Sequence, residues 1–161
     1  MTEEQSFTLE KASRDFARKS NHACWDLLAK DELTDSEKID LLAAAYTSFY
    51  HWRQVGGPAH AQRAYWMLAT AHIRLRETET ALRYAELCLA EARLSPDEMQ
   101  DFDWAYAYEV NARAHALAEY ADSCREFYSN AADAGEQIRE KEDRDLFLND
   151  LKSGEWFGFQ P

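Results

Sequence analysis

Hydrophobic positions recur at three- and four-residue spacing along most of this chain, the period of a helix with one buried face. Leu9, Ala12, Phe16, Ala23 and Leu27 mark such a face over roughly residues 5–29. Ile39, Leu42, Ala43, Tyr46, Phe49 and Tyr50 mark a second helix. Thr34 and Glu37 have the spacing of a capping box at its start, and Gly56-Gly57-Pro58 stops it: one glycine suits a left-handed cap, and the proline suits the next first turn. Third and fourth helices are predicted over about 58–75 and 79–93. Tyr65, Leu68, Ala69 and His72 face Ala81, Tyr84, Ala85, Cys88 and Leu89, with small residues where the two backbones cross. Ser95-Pro96-Asp97-Glu98 reads as another capping box, opening a fifth helix along Met99, Phe102, Tyr106, Val110 and Ala114 to about Leu117. A sixth helix at about 120–138 and a short one at about 144–152, with Leu148 and Leu151, complete the pattern. No stretch alternates with period two, so no sheet is expected. Connections of only a few residues favour antiparallel neighbours.

The third and fourth helices are echoed by Ala107, Val110, Asn111 and Ala114, then by Ser123, Phe127 and Asn130. The offset is 42 residues when Ala81 is aligned with Ser123. The stretch Tyr65–Leu89 resembles a tetratricopeptide repeat: Tyr65, Leu68, Ala69 and His72 fill the first cluster of that family's pattern, Ala81 opens the second, and Pro96 follows. Tyr50-His51-Trp52, Gly57-Pro58, Arg63-x2-Trp66 and Asp101-Phe102-Asp103 with Ala107-Tyr108-Glu109 are similar to an uncharacterised group of bacterial tetratricopeptide-like proteins. The resemblance implies an all-α, tetratricopeptide-like α-α superhelix forming a single domain over 1–161. Its parts would be three antiparallel hairpins (about 5–56, 58–93 and 96–138), a capping helix at about 144–152 and an aromatic tail at 153–161. It also implies a concave groove lined by the first helix of each pair. Arg63, Trp66, Thr70, Ile73 and Arg74 would face it from the third helix, and Tyr108, Ala112 and His115 from the fifth. The clustered Lys and Asn with which some family members grip a terminal carboxylate are missing.

Composition agrees with a folded helical domain. Of 161 residues, 46% are hydrophobic, and five Gly and three Pro are few for this length. The formal net charge of −12 opposes binding to nucleic acid or to an anionic membrane surface. No apolar run approaches the length of a bilayer span, and the start Met-Thr-Glu-Glu-Gln lacks the features of a secretory signal. Cys24, Cys88 and Cys124 are odd in number and far apart, which suits buried, reduced thiols in a cytoplasmic protein.

Candidate chemistry is sparse. No metal-ligand spacing, phosphate loop or nucleophile motif is present, so the sequence implies neither an enzyme nor a cofactor or metal. Arg63 and Trp66, one helical turn apart, can serve equally as binding anchors or as packing between repeats. Glu109 and Arg113 have the spacing of a helix-surface ion pair. Asp101 and Asp103 point apart. His72 suits a hydrogen-bonded core imidazole, and His51 suits a helix C-terminus or the rim of a site. Trp156, Phe157 and Phe159 in the tail favour docking onto the last hairpin; exchange into a neighbouring subunit, giving a homodimer, is the alternative.

The function expected is a non-catalytic interaction module. It would bind a protein segment in the groove between helices three and five, through Arg63, Trp66, Thr70, Tyr108 and His115, with His51 and Glu109 at its edges. The alternative is a small-molecule or signal-sensing domain with a pocket between helices two, three and five, where His51, Arg63 and Glu109 converge.

Overall fold

The computed structural model describes residues 8–160, so the predicted start of the first helix at residue 5 lies outside the described residues. Seven α-helices follow one another: α1 (Leu9–Leu28), α2 (Asp35–Val55), α3 (Pro58–Arg74), α4 (Thr78–Leu94), α5 (Asp101–Leu117), α6 (Ala121–Glu136) and α7 (Lys141–Lys152). A 3₁₀ turn at Pro96–Glu98 joins α4 to α5, and there is no strand among the described residues. The strongest packing is within the pairs α1/α2, α3/α4 and α5/α6. Between pairs, α3 touches α1 and α5, and α5 touches α7. Short connections make consecutive helices antiparallel, so α1, α3, α5 and α7 form one layer of successive neighbours.

The interior is built largely from alanine and cysteine, which lets the helices approach closely. Ala69, Ala81, Ala85, Cys88 and Leu89 join α3 to α4 and continue into Ala107, Val110 and Ala114 of α5. Cys24, Leu41, Ala45, Met67, Leu68 and Ala71 join the first hairpin to α3. The third cluster, including Ala112, Cys124, Ile138, Phe147, Leu151 and Trp156, closes the C-terminal end. All three cysteines are buried and unlinked.

Several sequence expectations change. The first hairpin buries Ala17 and Cys24 of α1 and Leu41, Ala45 and Ser48 of α2, while Leu9, Phe16, Ile39 and Tyr50 are exposed. Small residues at the crossing decide this: the Ser48 hydroxyl donates to the Ala17 carbonyl at 3.0 Å, an approach that larger side chains would block. The Thr34–Glu37 capping box forms as expected. Ser95 does not cap α5. Helical structure is interrupted at Met99 and Gln100 after the 3₁₀ turn, and the Gln100 amide instead donates to Asp103 Oδ2 at 2.9 Å. Neither Gly56 nor Gly57 is left-handed, with φ of −93° and −102°. Gly56 answers to space: a Cβ there would lie 2.7 Å from His60 Cβ and from the Trp52 carbonyl oxygen.

Left-handed residues instead follow α3 and α5, where Arg76 (φ 59°) and Glu119 (φ 61°) end the two helices in the same way. The Glu77 amide donates to the His72 carbonyl and the Tyr120 amide to the His115 carbonyl, both at 2.9 Å. Arg76 and Glu119 are 43 positions apart, as are the starts of α3 and α5 at Pro58 and Asp101. The structural offset between these hairpins is therefore one residue longer than the 42 read from Ala81 and Ser123. Ala81 corresponds to Cys124, and both are fully buried.

The tail docks on its own chain. Trp156 is only 7% exposed and meets Tyr128 edge-on at 5.2 Å. The Arg113 guanidinium lies 4.2 Å from the Trp156 ring centroid and donates to the carbonyls of Asp150, Ser153 and Glu155 at 2.8, 3.0 and 3.1 Å. Gly154, at φ 77°, turns the chain over this guanidinium, where a Cβ would stand 3.0 Å from Nη1.

Candidate functional site

Two adjoining recesses occupy the face formed by α1, α3, α5 and α7. One, of about 550 Å³, is lined by Asn21, Trp25, Arg63, Met67, Phe102 and Leu146 among others. Its neighbour, of about 530 Å³, runs past Thr70, Ile73, Arg74, Glu109 and Arg113 to the tail at Ser153–Glu155. Trp25, Trp66, Tyr106 and Asp150 line both, so together the recesses form one groove with an aromatic waist.

Helix geometry sets this waist. Trp66 projects from α3 between α1 and α5. Trp25 stacks on it at 5.4 Å and 29°, and Tyr106 meets it edge-on at 5.7 Å. Trp25 is 48% exposed. The Tyr106 hydroxyl donates to Asp150 Oδ2 at 2.6 Å, and burial, then that carboxylate, push the phenol well above its ordinary range.

Charged groups along the groove are mostly engaged with each other. The Arg63 fork donates to Asp103 through Nε at 2.8 Å and Nη2 at 2.9 Å, and its guanidinium lies 5.1 Å from the Phe102 ring centroid. Glu109 is buried and pairs with Arg113, while Trp66 Nε1 reaches its Oε2 at 3.4 Å. This is a buried junction between α3, α5 and the tail, not the helix-surface pair expected. Arg74 donates to the carbonyls of Lys30 and Asp31 at the end of α1, and Lys30 pairs with Glu37. Gln62 is buried beneath Arg63. Its Nε2 donates to the Asp103 carbonyl at 3.1 Å and contacts Cys88 Sγ at 3.3 Å.

Of the residues expected to bind a partner, Arg63, Trp66, Thr70 and Glu109 meet in this groove. Tyr108 and His115 do not. Tyr108 turns away to a shallow recess with Trp104 and Asn130, and His115 packs on Phe127 at 5.0 Å with its Nδ1 on the Asn111 carbonyl. Ala112 is buried against the α6/α7 side. The 42-residue register explains the misplacement, because one residue turns a helix by about 100°. With the 43-residue offset, Arg63, Trp66 and Thr70 map to Tyr106, Glu109 and Arg113, which do line the groove. His51 lines neither recess; it packs against Phe16 at 5.4 Å and Tyr50 at 5.3 Å, its buried Nδ1 without a hydrogen-bond partner among the described residues. The groove draws its walls from α1 and α7, so the expected convergence of helix two with Arg63 and Glu109 is not what forms it.

His72 is the hydrogen-bonded core imidazole expected. Its Nε2 meets the Tyr46 hydroxyl at 3.0 Å and its Nδ1 meets Glu77, joining α2, α3 and the turn before α4. Trp25, Tyr106 and Asp150 were missed. Trp25 and Asp150 stand on elements whose faces toward α3 and α5 depend on how hairpins stack, and the 43-residue offset alone would have found Tyr106. Among the described residues no group of three or more His, Cys, Asp and Glu is placed to hold a metal. No helix among them is long and apolar enough to cross a membrane. No family model, curated protein or solved structure matches this chain.

Proposed function

We propose that this protein is a non-catalytic, tetratricopeptide-like helical-repeat module that binds a segment of another protein along the α1/α3/α5/α7 groove. The observation that carries this reading is the aromatic waist. Trp25 is half exposed and stacked on Trp66 at the point where the two recesses join. A large, rigid indole held ready in a concave surface loses little entropy on binding and offers a large contact area, which is the character of an interface anchor. Support for the superhelical reading comes from the successive contacts of α1, α3, α5 and α7 and from the matched turns at Arg76 and Glu119. The acidic balance of the chain disfavours nucleic acid, and a cytoplasmic setting suits three reduced thiols.

The test is selection of a displayed random dodecapeptide library on the full chain. Peptides should be enriched that lose binding to the Trp25→Ala protein, whose melting temperature should stay close to the parent's because the ring is half in water. Enrichment insensitive to Trp25 would refute the groove as the binding surface.

A further inference from the structure

The groove contains five carboxylates, and their partners differ. Asp103 is held by Arg63, Glu109 by Arg113 and Glu155 by Arg76. Asp31 has no ion pair among the described residues, but it lies just past the end of α1, away from the waist, and Arg74 donates to its backbone carbonyl rather than to its carboxylate. Asp150 stands at the waist, shared by both recesses, and its carboxylate has no cationic side chain within ion-pairing distance among the described residues. Its neighbour Arg113 is turned to backbone carbonyls and to Glu109, and among the described residues only the Tyr106 hydroxyl reaches the Asp150 carboxylate. Asp150 also sits in the last turn of α7, where the negative end of the helix dipole adds to its own charge. Half-buried, it borders the Trp25–Trp66–Tyr106 cluster.

A carboxylate lacking a cation beside aromatic faces is the complement of a positively charged, flat or long-stemmed side chain. Aromatic faces attract cations through the ring quadrupole, and a guanidinium can stack on an indole while its fork engages a carboxylate. Accordingly, and resting on the groove reading above, we infer that the groove recognises a basic segment of a partner protein, with one arginine side chain laid across Trp25 and Trp66 and its guanidinium on Asp150. The net charge of −12 favours approach of such a segment. The cations bordering the groove do not bar it, since each already holds a carboxylate or carbonyl partner.

The probe is a synthetic copy of a dodecapeptide enriched in the selection above, with its arginine replaced by citrulline, which keeps the shape and removes the charge. On the wild-type protein the replacement should weaken binding by about tenfold or more. On Asp150→Asn, whose amide oxygen still accepts the Tyr106 hydroxyl, the difference between the two peptides should shrink to within about twofold. A second measurement needs no variant: raising salt should weaken the arginine peptide more steeply than the citrulline peptide, which lacks one charge pair. Enriched peptides that need Trp25 yet carry no basic position, or that tolerate citrulline, would overturn this inference and leave the groove reading standing. Enrichment independent of Trp25, or no enrichment at all, would overturn both.

Discussion

Arg63 and Asp103 form a two-pronged ion pair across the α3/α5 interface, at 2.8 and 2.9 Å, in which the carboxylate is 2% exposed and the guanidinium side chain 44%. The same carboxylate receives the Gln100 amide at the start of α5. One side chain thus caps a helix and anchors it to its neighbour, and Arg63 belongs first to the scaffold of the groove.

Removing that arginine leaves a buried carboxylate without its cation. Arg63→Ala should therefore destabilise the protein by about 2 kcal/mol, less than a fully buried pair because the guanidinium is half in water. A denaturant midpoint equal to the parent's would return Arg63 to the role of a free binding anchor.

The tail should behave as a cap on the last hairpin. Trp156→Ala removes a ring packed against Tyr128, Phe147's neighbourhood and the Arg113 guanidinium, and should cost ~3 kcal/mol. Deleting residues 154–161 should lower the melting temperature at unchanged molecular mass. A dimer in the parent that disappears on deletion would instead mean that the tail exchanges between subunits.

Gly135 sits where α6 meets α7. A Cβ there would come within 2.5 Å of Phe147 Cε1, and Phe147 is wholly buried with nowhere to retreat. Gly135→Ala should lower stability by about 1–3 kcal/mol despite alanine's better helix propensity, which predicts the opposite sign. Chemical denaturation decides between the two.

His60 supplies a pH dependence. Burial first, then the charges of Arg63, Arg14 and Arg18, lower its pKa below the ordinary 6.5. Its Nδ1 accepts the Gly57 amide at 3.3 Å, and its ring stacks on Trp52 at 4.2 Å. As pH falls through about 6.5 the unfolded chain takes up a proton that the folded chain refuses, so stability drops until the folded pKa is reached. Melting temperatures of His60→Gln followed from pH 8 to 5 should lack this component of the acid loss; a parallel pair of curves would show that His60 does not titrate differently on folding.

Local chemistry made much of this protein legible from its residues alone. The succession of seven helices, the Thr34–Glu37 box, the Gly56-Gly57-Pro58 break and the Leu68, Ala69, His72 face all depend on neighbours within a turn or two, and these appear where the pattern put them. The tail's docking was legible too, because three large rings cannot cheaply remain in water. Tertiary structure decided the rest. Which face of α1 and α2 turned inward depended on how closely two backbones could approach, and that was set by Ala17, Ala45 and Ser48 rather than by the bulkier Phe16 and Ile39. The one-residue difference between a 42- and a 43-residue repeat was invisible without the matched turns at Arg76 and Glu119. Yet it turned the expected face of α5 by about 100°, so that Tyr106, Glu109 and Arg113 line the groove where Tyr108, Ala112 and His115 were expected. The groove itself joins Trp25, Trp66, Tyr106 and Asp150 from four helices up to 125 positions apart, and no periodicity in a chain encodes which distant faces will share one wall.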